Sequence, residues 1–160
     1  MKYKNTSKSE LFNDKRHNSC GKKFRTYRLF KDQLVFELYL NRGTYNQRSI
    51  LIKFRISSQK LKIEKGRYMN ILAEQRICRL YKLDVENEIH FLLECPSLAN
   101  LRREILDHIE SRFSNLKFLD NKSKFVWLLS ADAHYIYNQL YALLTKLYNK
   151  RNDMLSSNTH

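Results

Sequence analysis

The sequence predicts a small all-α domain. Its 160 residues include only three glycines and one proline, whereas sheet-rich folds use many of both in turns. Forty-two per cent of the residues are apolar, enough to bury a core in one domain but hardly in two. In much of the chain the apolar residues also recur at helical spacing. These three observations together favour a single domain built from helices.

The N-terminal segment, residues 1–23, is predicted to be a flexible basic arm, because it is rich in Lys, Asn and Ser and poor in apolar residues. Order is expected from Phe24, and residues 24–155 form the predicted helical domain. Apolar residues between Tyr27 and Leu40 recur at helical spacing. They predict a helix that ends before Gly43, a residue suited to a C-terminal cap.

The middle of the chain is harder to assign. Residues 49–56 alternate like a strand, but Leu51 and Phe54 also fit one face of a helix. We favour a helix, since no partner strand is evident nearby. The following run, residues 60–67, is predicted to be a basic loop with a turn at Gly66.

Three helices are predicted after residue 96. The first begins near Ser97, the second is capped by Asp120 or Asn121, and the last is capped by Asp132. One apolar stripe runs along the last helix and consists of Ile136, Leu140, Leu143, Leu144 and Leu147. This stripe could pair with a second copy or a partner helix, giving a homo-oligomer, or it could pack into the domain's own core.

The candidate metal ligands are Cys78, His90 and Cys95, which lie in a segment typical of a zinc knuckle, residues 76–96. Tyr81 stands where the second cysteine of a C-x2-C pair would stand, so only three of the four ligands of a structural zinc site are present. An oxygen of Asp84, Glu86 or Glu88, or a water molecule, could take the fourth position. The alternative is a buried Cys95 beside a hydrogen-bonded His90 without metal.

The net charge of +14 indicates an anionic partner, and nucleic acid is the partner we expect. Most of the excess lies before residue 78. The candidate phosphate contacts are cations interleaved with apolar residues, namely Lys53, Arg55, Lys60, Lys62, Lys65 and Arg67. The alternative is a solvated basic face whose apolar residues point to the core.

Several classes of protein are not expected. No run of eighteen apolar residues predicts a membrane helix, and no secretory signal begins the chain. Three cysteines make an odd count, which favours a reducing compartment. The absence of a secretory signal and the basic arm favour an intracellular location, nuclear or cytoplasmic. The sequence holds no paired metal-binding acids of a polymerase, no glycine-rich phosphate loop and no G-x-S-x-G turn. We therefore expect a protein that is not an enzyme.

Four segments carry a resemblance to a known family: residues 24–31, 52–68, 75–78 and 85–96. In order and spacing they resemble the C-terminal region of reverse-transcriptase polyproteins from invertebrate non-LTR retrotransposons. In that family the region follows the polymerase and carries a Cys-Cys-His-Cys zinc-binding segment. The resemblance implies an accessory domain that holds zinc and binds element RNA or target DNA.

The chain departs from that family pattern at two positions. Tyr81 replaces the second cysteine, and Gln59 stands where the family usually has histidine. Both departures remove groups that could bind metal, which suggests a degenerate or free-standing copy. Two further hypotheses remain open, a helical module for protein–protein interaction and an unselected remnant of an element.

Overall fold

The structure, a computed structural model, describes residues 24–31, 36–41, 43–130 and 134–157. These residues form five α-helices: α1 (Tyr45–Arg55), α2 (Lys62–Tyr68), α3 (Ala99–Arg112), α4 (Asn121–Ser130) and α5 (His134–Ser157). Short 3₁₀ turns and one π-helical turn, His90–Glu94, connect them. The described residues contain no β-strand, only an isolated antiparallel bridge between Ile77 and Val85. The prediction of a small all-α domain is confirmed.

The helix predicted before Gly43 is wrong for the described residues, because residues 31, 36 and 37 are not helical. Tyr27–Leu29 and Leu38–Asn41 form 3₁₀ turns, while residues 32–35 and the predicted arm, residues 1–23, lie outside the described ranges. Gly43 has a φ of 71°, a left-handed conformation that glycine adopts without strain. Immediately after it, the side chains of Thr44 and Gln47 accept hydrogen bonds from each other's backbone N–H and cap α1.

The basic loop predicted for residues 60–67 is wrong. Lys62–Tyr68 is the helix α2, and Gly66 lies buried inside it rather than in a turn. A Cβ atom on Gly66 would lie 2.7 Å from Cγ of Arg76, so the glycine allows this arginine to pass close to the helix. Residues 49–55, which the pattern left ambiguous, are helical as favoured, and they belong to α1.

The three helices predicted after residue 96 are present as α3, α4 and α5. The serine cap predicted for the first of them is absent, because a 3₁₀ turn, Pro96–Leu98, leads directly into α3. Asp120 caps α4 by accepting a hydrogen bond of 3.1 Å from the backbone N–H of Ser123. Asp132 lies outside the described residues.

The hydrophobic core is centred on α5, which packs against α1 and α3. Phe54 stands at its middle, with ring centroids 6.3 Å from Phe91 and 6.1 Å from Phe125. The stripe predicted on the last helix is fully buried, at Ile136, Leu140, Leu143, Leu144 and Leu147. Of the two alternatives for this stripe, the structure shows packing into the domain's own core. None of the described helices combines the length and the apolar character needed to cross a membrane.

Candidate metal centre and adjoining basic surface

A closed loop presents Cys78 to the interior. The bridge between Ile77 and Val85 ties the ends of this loop together. Within it, the backbone N–H of Cys78 donates to the carbonyl of Asp84 at 2.7 Å, and the N–H of Lys82 donates to the carbonyl of Cys78 at 2.8 Å. These bonds fix the backbone of Cys78, whose side chain is buried.

The π-helical turn brings His90 and Cys95 to the same side of the chain. The backbone N–H of Cys95 donates to the carbonyl of His90 at 2.7 Å, across five residues. In an ordinary α-helix, residues four apart lie over one another, whereas His90 and Cys95 are five apart. The wider π-helical turn therefore brings this pair together. Pro96 follows and has no N–H to extend the helix, which lets the chain turn away after Cys95.

The three predicted ligands form one compact, buried cluster. The Sγ atoms of Cys78 and Cys95 are 4.0 Å apart, and all ligand atoms of Cys78, His90 and Cys95 lie within 4.8 Å of one another. Two thiolates bound to one tetrahedral zinc ion at about 2.3 Å would lie roughly 3.8 Å apart. The cluster could therefore hold a metal ion with little movement of the two sulfurs.

The polar groups of the cluster also suit a bound cation. Neither ring nitrogen of His90 has a hydrogen-bond partner among the described residues, although the side chain is buried. Leaving such a group unsatisfied costs about 1–3 kcal/mol, which coordination would remove. The Cys95 thiol lowers the pKa of Cys78, and the same contact raises the pKa of Cys95. Cys78 is thus the sulfur that ionises first, and the thiolate is the form that binds metal.

Tyr81, which stands in place of the missing cysteine, makes an aromatic contact with His90. The ring of Tyr81 stacks on the ring of His90, with centroids 6.3 Å apart and planes 27° apart. A phenol with an ordinary pKa of about 10 is a poor metal ligand at neutral pH. Tyr81 therefore shields the histidine ring but does not readily replace the lost thiolate.

Of the three acidic residues that could supply the fourth ligand, only Asp84 is available. Glu86 is buried and accepts two hydrogen bonds from Arg151, at 2.6 and 2.9 Å. Glu88 is also buried, and Gln59 and Arg25 donate to it. Oδ2 of Asp84, in contrast, lies 3.9 Å from Nδ1 of His90, on a side chain that is 62% exposed.

The predicted phosphate-contacting residues divide into two groups. Lys53, Lys60 and Lys65 are exposed, and Lys62 is half-buried. None of these four lysines forms an ion pair with a residue that the structure describes. They lie on α1, on α2 and on the segment between these helices, and are together called the basic surface below.

The two arginines among the predicted contacts have partners within the protein. Arg55 is 1% exposed, and its guanidinium donates to Glu37 at 3.1 Å and to the carbonyl of Leu129 near the end of α4. Arg67 donates to Glu64 at 2.6 Å and lies over the ring of Tyr68. Arg55 consequently joins α1 to α4, and it is not part of the basic surface.

Sequence reasoning missed the buried side chains that hold the knuckle segment in place. Arg102 donates to the carbonyl of Cys95, and Arg76 donates to the carbonyls of Ile63 and Ile71. Gln59, expected to mark a lost metal ligand, lies outside the cysteine–histidine cluster. No local pattern identifies such residues, because their partners are distant in the sequence or are backbone carbonyls.

Comparison of the chain with protein-family models, with curated proteins and with solved structures found no match. The resemblance to reverse-transcriptase polyproteins therefore remains a prediction. The cluster and the basic surface are the features from which we infer a function.

Proposed function

We propose that this protein is a non-catalytic module that holds zinc at Cys78, His90 and Cys95 and binds RNA or DNA through phosphate contacts. The observation that carries the nucleic-acid part is the basic surface, whose lysines have no acidic partner among the described residues. When lysines neutralise phosphates, the counterions condensed on the nucleic acid are released. This release favours binding without sequence preference. The net charge of +14 adds attraction at longer range.

Zinc is the metal that suits this ligand set best. Buried thiolate and imidazole ligands are typical of structural zinc sites. Asp84 would supply an oxygen as the fourth ligand. The ion would then join the loop that bears Cys78 to the π-helical turn, and its role would be to stabilise the knuckle segment rather than to catalyse a reaction.

The nucleic-acid proposal is tested by fluorescence anisotropy with labelled single-stranded RNA and DNA at increasing salt concentrations. Affinity should fall steeply with salt, and Lys62→Ala/Lys65→Ala should weaken binding and reduce the slope by about 0.7 for each phosphate that is no longer neutralised. Lys117→Ala removes an exposed lysine from the turn that follows α3 and should change neither quantity. Binding that is unaffected by salt would refute the proposal.

The zinc proposal is tested by elemental analysis of the purified protein, followed by thermal melts with and without chelator. We expect one zinc ion per chain and a lower melting temperature after chelation. Free zinc at about 100 times its Kd should stabilise the fold by roughly 2.7 kcal/mol. Cys78→Ser should abolish this gain. A metal-free protein whose melt does not respond to added zinc would contradict the assignment.

A further inference from the structure

Arg102, on α3, is a buried cation without an anionic partner. Its side chain is buried, yet it forms no ion pair with any residue that the structure describes. Its guanidinium donates to the backbone carbonyl of Cys95, and its Nε has no hydrogen-bond partner in the described ranges. The same carbonyl also accepts from the backbone N–H of Leu98 at 3.1 Å. A neutral donor could satisfy this carbonyl, so the contact does not explain why a positive charge is buried here.

The other buried arginines among the described residues have more partners. Arg55 and Arg151 each donate to a buried glutamate. Arg76 has no carboxylate, but three of its nitrogens donate to the backbone carbonyls of Ile63 and Ile71. Removing a charge from water is costly unless an opposite charge or several hydrogen bonds compensate for it. Arg102 lacks both, which indicates that an anion is missing from its surroundings.

The cysteine–histidine cluster becomes such an anion when it binds zinc. Two thiolates and the carboxylate of Asp84 together carry one negative charge more than Zn²⁺ neutralises. Arg102 is in contact with the backbone of Cys95, one of the two sulfur ligands. Burial lowers the pKa of Arg102, and an ionised Cys95 sulfur opposes that shift. The guanidinium and the sulfur are therefore within electrostatic range of each other.

Glu94 is the other acidic side chain whose charge acts on Arg102. It is exposed, it accepts a hydrogen bond of 3.4 Å from Asn121, and it forms no ion pair with Arg102. Water screens an exposed carboxylate, so Glu94 compensates little of a charge that is itself buried. The zinc-loaded centre is the stronger partner, because its sulfur ligands are buried as Arg102 is.

We infer that Arg102 is the counter-charge of the zinc-loaded centre, a positioning residue that holds Cys95 by its carbonyl and neutralises the excess negative charge. This role rests on the zinc site of the proposed function, and it requires an anionic fourth ligand, for which Asp84 is the available group. With water as the fourth ligand, the loaded centre would carry no net charge and would gain little from a nearby cation. Groups that support a metal ligand from behind commonly contribute ten- to hundredfold to metal affinity.

The test compares two substitutions of Arg102 by competition for zinc with a coloured chelator. Arg102→Gln keeps a donor for the Cys95 carbonyl but removes the charge, so zinc affinity should fall by about tenfold or more. Arg102→Lys keeps the charge and should retain most of the affinity. Arg103→Gln removes the charge of an exposed neighbour on α3 and should leave the affinity unchanged. Equal zinc affinities for Arg102→Gln and the original protein would overturn the inference.

Urea denaturation of the metal-free protein separates this role from a purely structural one. Without zinc the charge of Arg102 has no strong partner, so Arg102→Gln should leave the urea midpoint unchanged or raise it. If Arg102 served only to anchor the knuckle segment, the midpoint would fall, and Arg102→Gln and Arg102→Lys would lose zinc affinity to the same extent. That combination would also overturn the inference.

A double variant tests whether Arg102 compensates the charge of the fourth ligand. The loss of zinc affinity caused by Arg102→Gln should be smaller in the Asp84→Asn background, because that centre no longer carries an excess negative charge. Equal losses in both backgrounds would refute the pairing. If the original protein binds no zinc, the proposed zinc site and this role fail together. If it binds zinc and Arg102→Gln binds it equally well, only this role fails.

Discussion

The knuckle segment, residues 76–96, and the C-terminal helices, α3 to α5, are stabilised by different kinds of contact. The helices bury a continuous apolar stripe on α5, in which Leu140 and Leu144 are fully buried. The knuckle segment shares Phe91 and Leu92 with the core and is attached in addition through buried charged side chains. Glu86 pairs with Arg151, Glu88 pairs with Arg25, and Arg102 donates to the carbonyl of Cys95.

This difference determines how each region should respond to mutation. Apolar packing weakens gradually, in proportion to the volume removed. A buried ion pair contributes little net stability when intact, because desolvation offsets the attraction, but removing one partner leaves an uncompensated charge. The knuckle segment should therefore be the more sensitive region to single charge changes, and the helices the more sensitive region to truncation of apolar side chains.

The largest expected effect comes from breaking the ion pair between α5 and the knuckle segment. Arg151→Met should lower the free energy of unfolding by about 3–5 kcal/mol, because Glu86 would stay buried without its partner. Urea denaturation measures this decrease. Adding Glu86→Gln should restore part of the stability, and Lys150→Met, at an exposed neighbour, should have little effect. A decrease as small as that for a surface pair, up to about 1 kcal/mol, would contradict this account.

Truncating a buried leucine in the C-terminal core should lower the free energy of unfolding by slightly less. Leu144 is fully buried, and Leu144→Ala should lower the free energy of unfolding by about 2–5 kcal/mol, with or without zinc. The same denaturation experiment measures the effect. Leu72→Ala truncates an exposed leucine and serves as the control. If the cost of Leu144→Ala vanished after chelation, the two regions would not be held independently.

The smallest expected effect concerns the fourth ligand position. Asp84→Asn should weaken zinc binding by about tenfold, as is common when a group close to a metal site is altered. Competition with a coloured chelator measures the zinc affinity. Asp107→Asn removes a carboxylate from an exposed position on α3 and should leave the affinity unchanged. Equal affinities for the Asp84 variant and the original protein would assign the fourth position to water.

Sequence patterns identified most of the fold because they report local preferences. The first of the three helices predicted after residue 96 is present as α3, and the stripe on α5 predicted the residues that are buried. The pattern was wrong at residues 60–67, where glycine and lysine indicated a turn. There Gly66 is required by the close approach of Arg76, ten residues further along, which no local pattern reveals.

The candidate metal ligands could likewise be identified from the sequence. Which charged side chains are buried with partners and which are exposed could not. Arg55 and Lys53 lie two residues apart on α1, yet Arg55 is buried against Phe30 and Glu37 whereas Lys53 is exposed. Sequence alone could not distinguish Asp84 from Glu86 and Glu88 as a fourth ligand. The distinction depends on whether an arginine or glutamine from elsewhere in the chain already donates a hydrogen bond to the carboxylate.

By itself, then, the sequence determined the all-α class, the apolar stripe and the spacing of Cys78, His90 and Cys95. These properties follow from residues close together in the chain and from the 3.6-residue period of the helix. Only the tertiary structure decided which charges are buried in pairs and which lysines remain exposed. Those outcomes depend on contacts such as that between Glu86 and Arg151, which joins residues 65 positions apart.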